Sequence, residues 1–170
     1  MTQSDFIAII NPIRSKLFRF AKRLLISNEE AEDATQEVIM KLWAMNEKLA
    51  AYRSIEALAM TMTKNYCLDQ LKSNRATKHL QIVHSDFALH GKDFQQDLEA
   101  ADSLKWIGKI VNRLPEQQKL VLHMRDVEHY EFSQIAEILD ITEVTARVTL
   151  NRARKTIKEQ IIKTHQYGTA

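Results

Sequence analysis

The sequence predicts an all-α protein made of two small helical domains joined by a flexible linker, the C-terminal domain being a helix-turn-helix. Three observations point there. Only three Gly and two Pro stand in 170 residues, and β-branched residues never alternate with polar ones for long enough to make a strand. Apolar residues recur at helical spacing, as Ala31, Ala34, Val38 and Leu42 do, and again Ala146, Leu150, Ala153 and Ile157. The stretch 79–101 breaks that pattern with Asp86, Asp93, Asp97 and Glu99 against Lys92, and with Gly91 among polar residues, the composition of an acidic linker. The expected domains are therefore 1–78 and 102–165, with helices near 3–26, 28–46, 54–75, 102–112, 116–126, 131–139 and 142–164.

The first helix gathers Arg14, Lys16, Arg19, Lys22 and Arg23. The second opens on Ser27 and Glu30, three apart as in a capping box, and its acidic first turn suits the positive end of the helix dipole. With Ala31, Ala34, Val38 and Leu42 on the core side, Asp33, Gln36 and Glu37 are left outward, and Met40 and Lys41 extend that surface by a turn. An acidic helix start serves capping and solubility by itself. Here it lies between two basic segments, 14–23 and 64–78, the latter with Lys64, Lys72, Arg75 and Lys78 against Asp69. Such an acidic face can address a protein while its basic neighbours address nucleic acid.

The C-terminal signal is residues 131–155. Ile135, Ala136 and Leu139 share one side of a short helix, and small Ala136 lets a second helix cross closely. Asp140 ends that helix. Thr142 can cap the next one, whose stripe Ala146, Leu150, Ala153 and Ile157 faces inward. The opposite surface carries Thr145, Arg147, Val148, Asn151, Arg152, Arg154 and Lys155, a mixture of base-edge readers and phosphate binders that a major groove can accept. From 141 to 165 six Lys or Arg face Glu143 and Glu159, a local charge of +4 within a chain whose net charge is only +2. Local patches, not the total, decide DNA contact. An ordinary amphipathic helix with a solvated basic face has the same pattern.

Taken together these segments resemble the bacterial sigma factors of the extracytoplasmic-function (ECF) group. The likeness spans nearly the whole chain. Glu32-Asp33-Ala34-Thr35-Gln36-Glu37 through Leu42-Trp43 looks like that family's core-polymerase-binding helix, followed by Asn65, Leu68, Asp69 and Leu71 at the spacing of its promoter-opening helix, then by Leu114-Pro115-Glu116 and the helix-turn-helix. The resemblance implies a transcription initiation factor that binds the clamp and flap of core RNA polymerase, and it assigns Asp33, Gln36, Glu37, Met40 and Lys41 to core binding. Promoter DNA is the second implied partner and an anti-sigma factor the third. By the same resemblance the acidic linker would follow the channel that nascent RNA later occupies; its composition equally suits a solvated tether.

For promoter opening the third helix offers an apolar side, Ile55, Leu58, Met62 and Leu71 with Leu68 nearby, and a polar one with Lys64, Asn65, Lys72 and Arg75. Lys48, Tyr52 and Arg53 in the preceding loop are candidates for the unpaired minus-ten strand, since single-strand binders combine positive grooves with aromatic faces. Tyr52 can equally be a core anchor. The chain departs from the family in having Leu58 where a Trp is common, Lys72 for Arg, Asp140 for Gly in the turn, and Val148-Thr149 for Ser-Arg. Asp tolerates the left-handed conformation, so the turn survives. Val148 can contact only apolar features such as a thymine methyl.

The single Cys67 excludes an internal disulfide and a Cys-based zinc cluster, which fits a reducing cytoplasm. No signal-peptide pattern and no apolar run of about 20 residues is present, so a soluble cytoplasmic protein without membrane insertion is expected. No Glu-x-x-His pair, glycine-rich phosphate loop or nucleophile–base arrangement appears, so neither catalysis nor a cofactor or metal is expected. Two other readings stay open: a stand-alone dimeric helix-turn-helix regulator, and a helical interaction protein. Only the sigma reading gives the acidic Asp33 to Glu37 surface a partner.

Overall fold

The computed structural model describes residues 2–25, 27–77 and 98–167, with backbone alone at 74–77, 98–104 and 164–167. Every regular element among them is helical. The order is α1 (Gln3–Leu24), α2 (Asn28–Ala44), a single 3-10 turn (Leu49–Ala51), α3 (Ile55–Thr77), α4 (Leu98–Asn112), α5 (Glu116–Leu122), a π-helical turn (His123–Val127), α6 (Phe132–Leu139) and α7 (Glu143–Tyr167). The acidic stretch with Asp86, Lys92 and Asp93 lies outside the described residues.

Local chemistry starts each helix. Thr2 and Asp5 cap α1 reciprocally. Ser27 Oγ accepts from the Glu30 amide at 3.0 Å and so starts α2 as the spacing predicts. At α3, Ser54 Oγ accepts from the Ala57 amide at 3.1 Å. Helix α1 stops at Leu24, earlier than expected, because Leu25 turns extended and is itself buried, which lets the chain reverse into α2 within a few residues. Helix α4 begins at Leu98, inside the segment expected as linker; Leu98, Glu99, Ala100 and Ala101 are all good helix formers.

Helices α1, α2 and α3 pack around Leu17, Phe20, Leu42, Leu49 and Met60, all fully buried. Ala31, Ala34 and Val38 line the same core, as their spacing predicts. That core continues into the C-terminal half through Leu120, Val121, Met124, Tyr130, Ile135 and Ile138. A smaller cluster, Val111, Leu114 and Ala153, joins α4 to α7. The two halves are thus packed against one another.

Polar links cross the junction. Arg19 grips Glu128 with two hydrogen bonds, of 2.5 and 2.8 Å, and the Glu128 side chain is only 3% exposed. Burial by itself would raise the Glu128 carboxyl, but the Arg19 guanidinium and the adjacent His123 imidazole outweigh it and hold the group down to about 2. His123, at 3.5 Å from Glu128, is buried, and desolvation favours its neutral form. Glu56 of α3 accepts from Lys16 at 2.7 Å and also from the Tyr130 hydroxyl. Burial and the neighbouring Glu56 carboxylate keep Tyr130 protonated. Cys67 is buried, and desolvation pushes its thiol up to about 12, which leaves it an inert core residue.

Candidate nucleic-acid interface

The helix-turn-helix is closed by a Schellman turn. Asp140 takes the left-handed conformation at φ 55° and ψ 51°, its amide donates to Glu137 O, and the Ile141 amide donates to Ala136 O at 3.0 Å. Asp occupies the place that Gly would fill most cheaply. Two residues on, Thr142 Oγ1 accepts from the Thr145 amide at 3.0 Å, so the predicted cap forms and α7 starts at once. Inside, Ile135 and Ile138 of α6 share a core with Ala146 and Leu150 of α7, Ala153 packs with Val111 and Leu114, and Ala136 and Leu139 are half-buried.

With that stripe inward, Thr145, Arg147, Val148, Asn151, Arg152, Arg154 and Lys155 are all exposed. They differ in freedom. The Arg147 guanidinium lies over the Phe132 ring at 4.3 Å and pairs with Glu143 at 3.0 Å. Arg125 lies over the same ring at 4.9 Å and donates to Tyr130 O at 2.7 Å. Arg154 is held by Asp126 through bonds of 3.1 and 2.5 Å, on the flank of α7. Lys155 stands 3.9 Å from Glu159. The Thr145 hydroxyl lies 2.8 Å from that of Thr142 at the cap. Arg125 and Phe132 lie outside the residues singled out by sequence, and no periodicity could have found a ring stacked on cations from two other elements.

In the N-terminal half, Asp33, Gln36, Met40 and Lys41 are exposed on α2, and half-buried Glu37 pairs with Lys41 at 3.4 Å. Lys41 also sits 5.3 Å from the centre of the Tyr66 ring. Met40 and Trp43 are 65% and 40% exposed, so the acidic ridge has an apolar end. Lys48, Tyr52 and Arg53 are exposed together before α3, and Tyr52 is not a core anchor. Asn65 and Lys72 are exposed; the Arg75 side chain lies outside the described residues. Lys64 is half-buried and donates to Ile138 O at 2.9 Å, across the junction of the halves.

The basic run of α1 is a correction. Its cations were expected to meet nucleic acid, but Arg14 is paired with Glu32, Lys16 with Glu56 and Arg19 with Glu128. Arg23 is half-buried, and desolvation lowers its pKa. The partners come from other elements, which composition does not reveal.

Residues 9–77 match the family described as Sigma-70 region 2, and residues 104–157 match Sigma-70, region 4. The chain belongs to the ECF sigma factors. Its sequence is 19% identical to the ECF RNA polymerase sigma factor SigW of Bacillus subtilis, over 94% of this chain and 90% of that one. In fold it is similar to the sigma factor RpoE solved with the anti-sigma factor NepR from Bartonella quintana, with TM-score 0.72 and 22% identity over 92% of this chain and 96% of the other. A second likeness is to CnrH, solved with the cytosolic domain of CnrY, with TM-score 0.67 and 14% identity over 95% and 90% of the two chains. This sigma factor is a promoter-directing transcription initiation factor, and the region 2 match removes the stand-alone regulator reading. Among the described residues no helix is long and apolar enough to cross a membrane, and no His, Cys, Asp and Glu group is arranged to hold a metal ion.

Proposed function

We propose that this sigma factor docks on the core RNA polymerase clamp through Asp33, Gln36, Glu37, Met40 and Lys41, while residues 102–165 rest on the flap and hold the upstream promoter element. Thr145, Arg147, Val148, Asn151, Arg152, Arg154 and Lys155 meet that element in the major groove. Lys48, Tyr52, Arg53, Lys64, Asn65, Lys72 and Arg75 meet the minus-ten strand as it unpairs. The observation that carries the reading is the exposed face of α7: its first three turns bear cations on a helix locked at a fixed angle by the Asp140 turn and the Thr142 cap. The work takes place in the cytoplasm, and the anti-sigma complexes of RpoE and CnrH support an anti-sigma partner here as well.

Packing of α6 against α3 engages Lys64, so the halves part when polymerase binds and each surface then meets its own stretch of DNA. Binding and transcription by the holoenzyme on a library of upstream elements test the assignment. Arg152→Ala should cost about 1–3 kcal/mol and blur the preference at one or two bases. Lys163→Ala, beyond the groove, should weaken all sequences alike or do little. If Arg147→Ala and Arg152→Ala both leave strength and ranking unchanged, α7 does not read DNA in this way.

A further inference from the structure

The outward face of α7 is not uniformly polar. Ala146, Thr149, Leu150 and Ala153 are buried and fix the inward direction. At about 100° per residue, the ridge diametrically opposite is Val144, Val148, Asn151 and Lys155, with Arg147 on one flank and Arg152 on the other. The first two turns of the ridge are therefore valine. Val144 is 69% exposed, the most of any large hydrophobic among the described residues, and Val148 is 41% exposed. A β-branched residue on a solvated helix face lowers helix propensity and gains nothing from packing. These two valines have a cost in the free chain and no compensation within it.

We propose that Val144 and Val148 read thymine C5-methyl groups in the upstream promoter element, which makes thymine the preferred base opposite each. The inference rests on the placement of α7 in the major groove. There, only thymine presents a methyl, and an apolar side chain is its natural complement. The surroundings favour DNA over a protein as occupant: Arg147 and Arg152 border the ridge and Lys155 ends it, the segment 141–165 carries a charge of +4, and two isolated valines are too small a patch to anchor a protein partner. The flanking Arg147 is held aside by Phe132 and Glu143, so it does not cover the valines.

Replacing single thymines by uracil removes only the methyl and leaves every hydrogen-bonding edge intact. The test uses holoenzyme assembled from the full chain and core polymerase, on the upstream sequences that this holoenzyme itself selects from a library. The expected result is a loss of about fourfold at one or two thymines, the worth of one buried methyl-sized group. Val148→Ala should abolish the uracil penalty at one of those positions and Val144→Ala at the other, while both variants melt at or above the wild-type temperature because Ala is the better helix former. Absence of a penalty at every thymine, or a penalty that persists in both variants, overturns the proposal. The Arg152→Ala holoenzyme separates the causes: if that variant blurs the preference while uracil is silent, the groove placement stands and the methyl reading falls; if it too changes nothing, both fall.

Discussion

Lys64 donates to the carbonyl of Ile138 at 2.9 Å, although 74 residues separate them in the chain. The acceptor lies in the last turn of α6, where carbonyls lack intrahelical partners and the helix dipole is negative, so the ammonium serves as a cap supplied by the other half. The same side chain is proposed for minus-ten DNA and cannot do both at once. The free chain should therefore leave promoter duplex closed. Permanganate reactivity of minus-ten thymines should appear with holoenzyme and be absent with the free chain; Lys64→Met should reduce it in the holoenzyme. Opening by the chain alone, or full opening by the variant, would count against this role.

Glu128 ties the junction by charge, and its effect depends on pH. Its folded pKa, about 2, lies below the ordinary 4.5, so its stabilisation is complete above about pH 4.5 and disappears as pH falls toward 2. Glu128→Gln should lower stability at pH 7 by about 1–3 kcal/mol, the worth of a charge-assisted hydrogen bond. The gap from wild type should narrow at pH 3. Urea midpoints of both proteins at the two pH values measure this, since all other carboxyls titrate alike in each. A gap that does not change with pH would rule out the carboxylate as its source.

Charge reversal on the acidic ridge should separate docking from folding. Half-buried Glu37 makes a surface i,i+4 pair with Lys41, the kind worth about 0.3–0.5 kcal/mol, so Glu37→Lys should move the melting free energy by about 0.5 kcal/mol or less. Its affinity for core polymerase should fall at least about tenfold, as expected when like charges meet across an interface. A titration of labelled core showing unchanged affinity would remove Glu37 from the docking surface.

The left-handed Asp140 predicts a sign that depends on the substitution. Asp140→Gly relieves the Cβ strain at φ 55° and should be neutral or stabilising, whereas Asp140→Val should cost about 1–2 kcal/mol or more. Thermal melts decide it. Equal melting temperatures for the Gly and Val variants would contradict the turn geometry.

What the sequence reveals follows the range of the interaction. The Ser27 and Glu30 capping box and the Thr142 cap lie within one turn, so spacing alone exposed them. The stripe Ala146, Leu150 and Ala153 was visible because burial on a helix has a period. Arg19 and Glu128 stand 109 residues apart, and nothing in either neighbourhood marks them as partners. For that reason the basic run of α1 read as a nucleic-acid surface when most of its charge belongs to internal pairs. The stack of Arg125 and Arg147 on Phe132 was hidden similarly, since it needs three elements brought together.

The π-helical turn at His123–Val127 is closed by the Glu128 amide donating to His123 O, five residues back. Such a turn holds one residue more than an α-helical path of the same course. Every side chain after it is consequently set by an insertion as well as by its own identity. Wound as a plain α-helix, the same residues would carry Glu128 about 100° around the axis while keeping its chemistry intact. Arg19 would then lose its carboxylate, so the fit between the halves is encoded partly in how this one turn is wound.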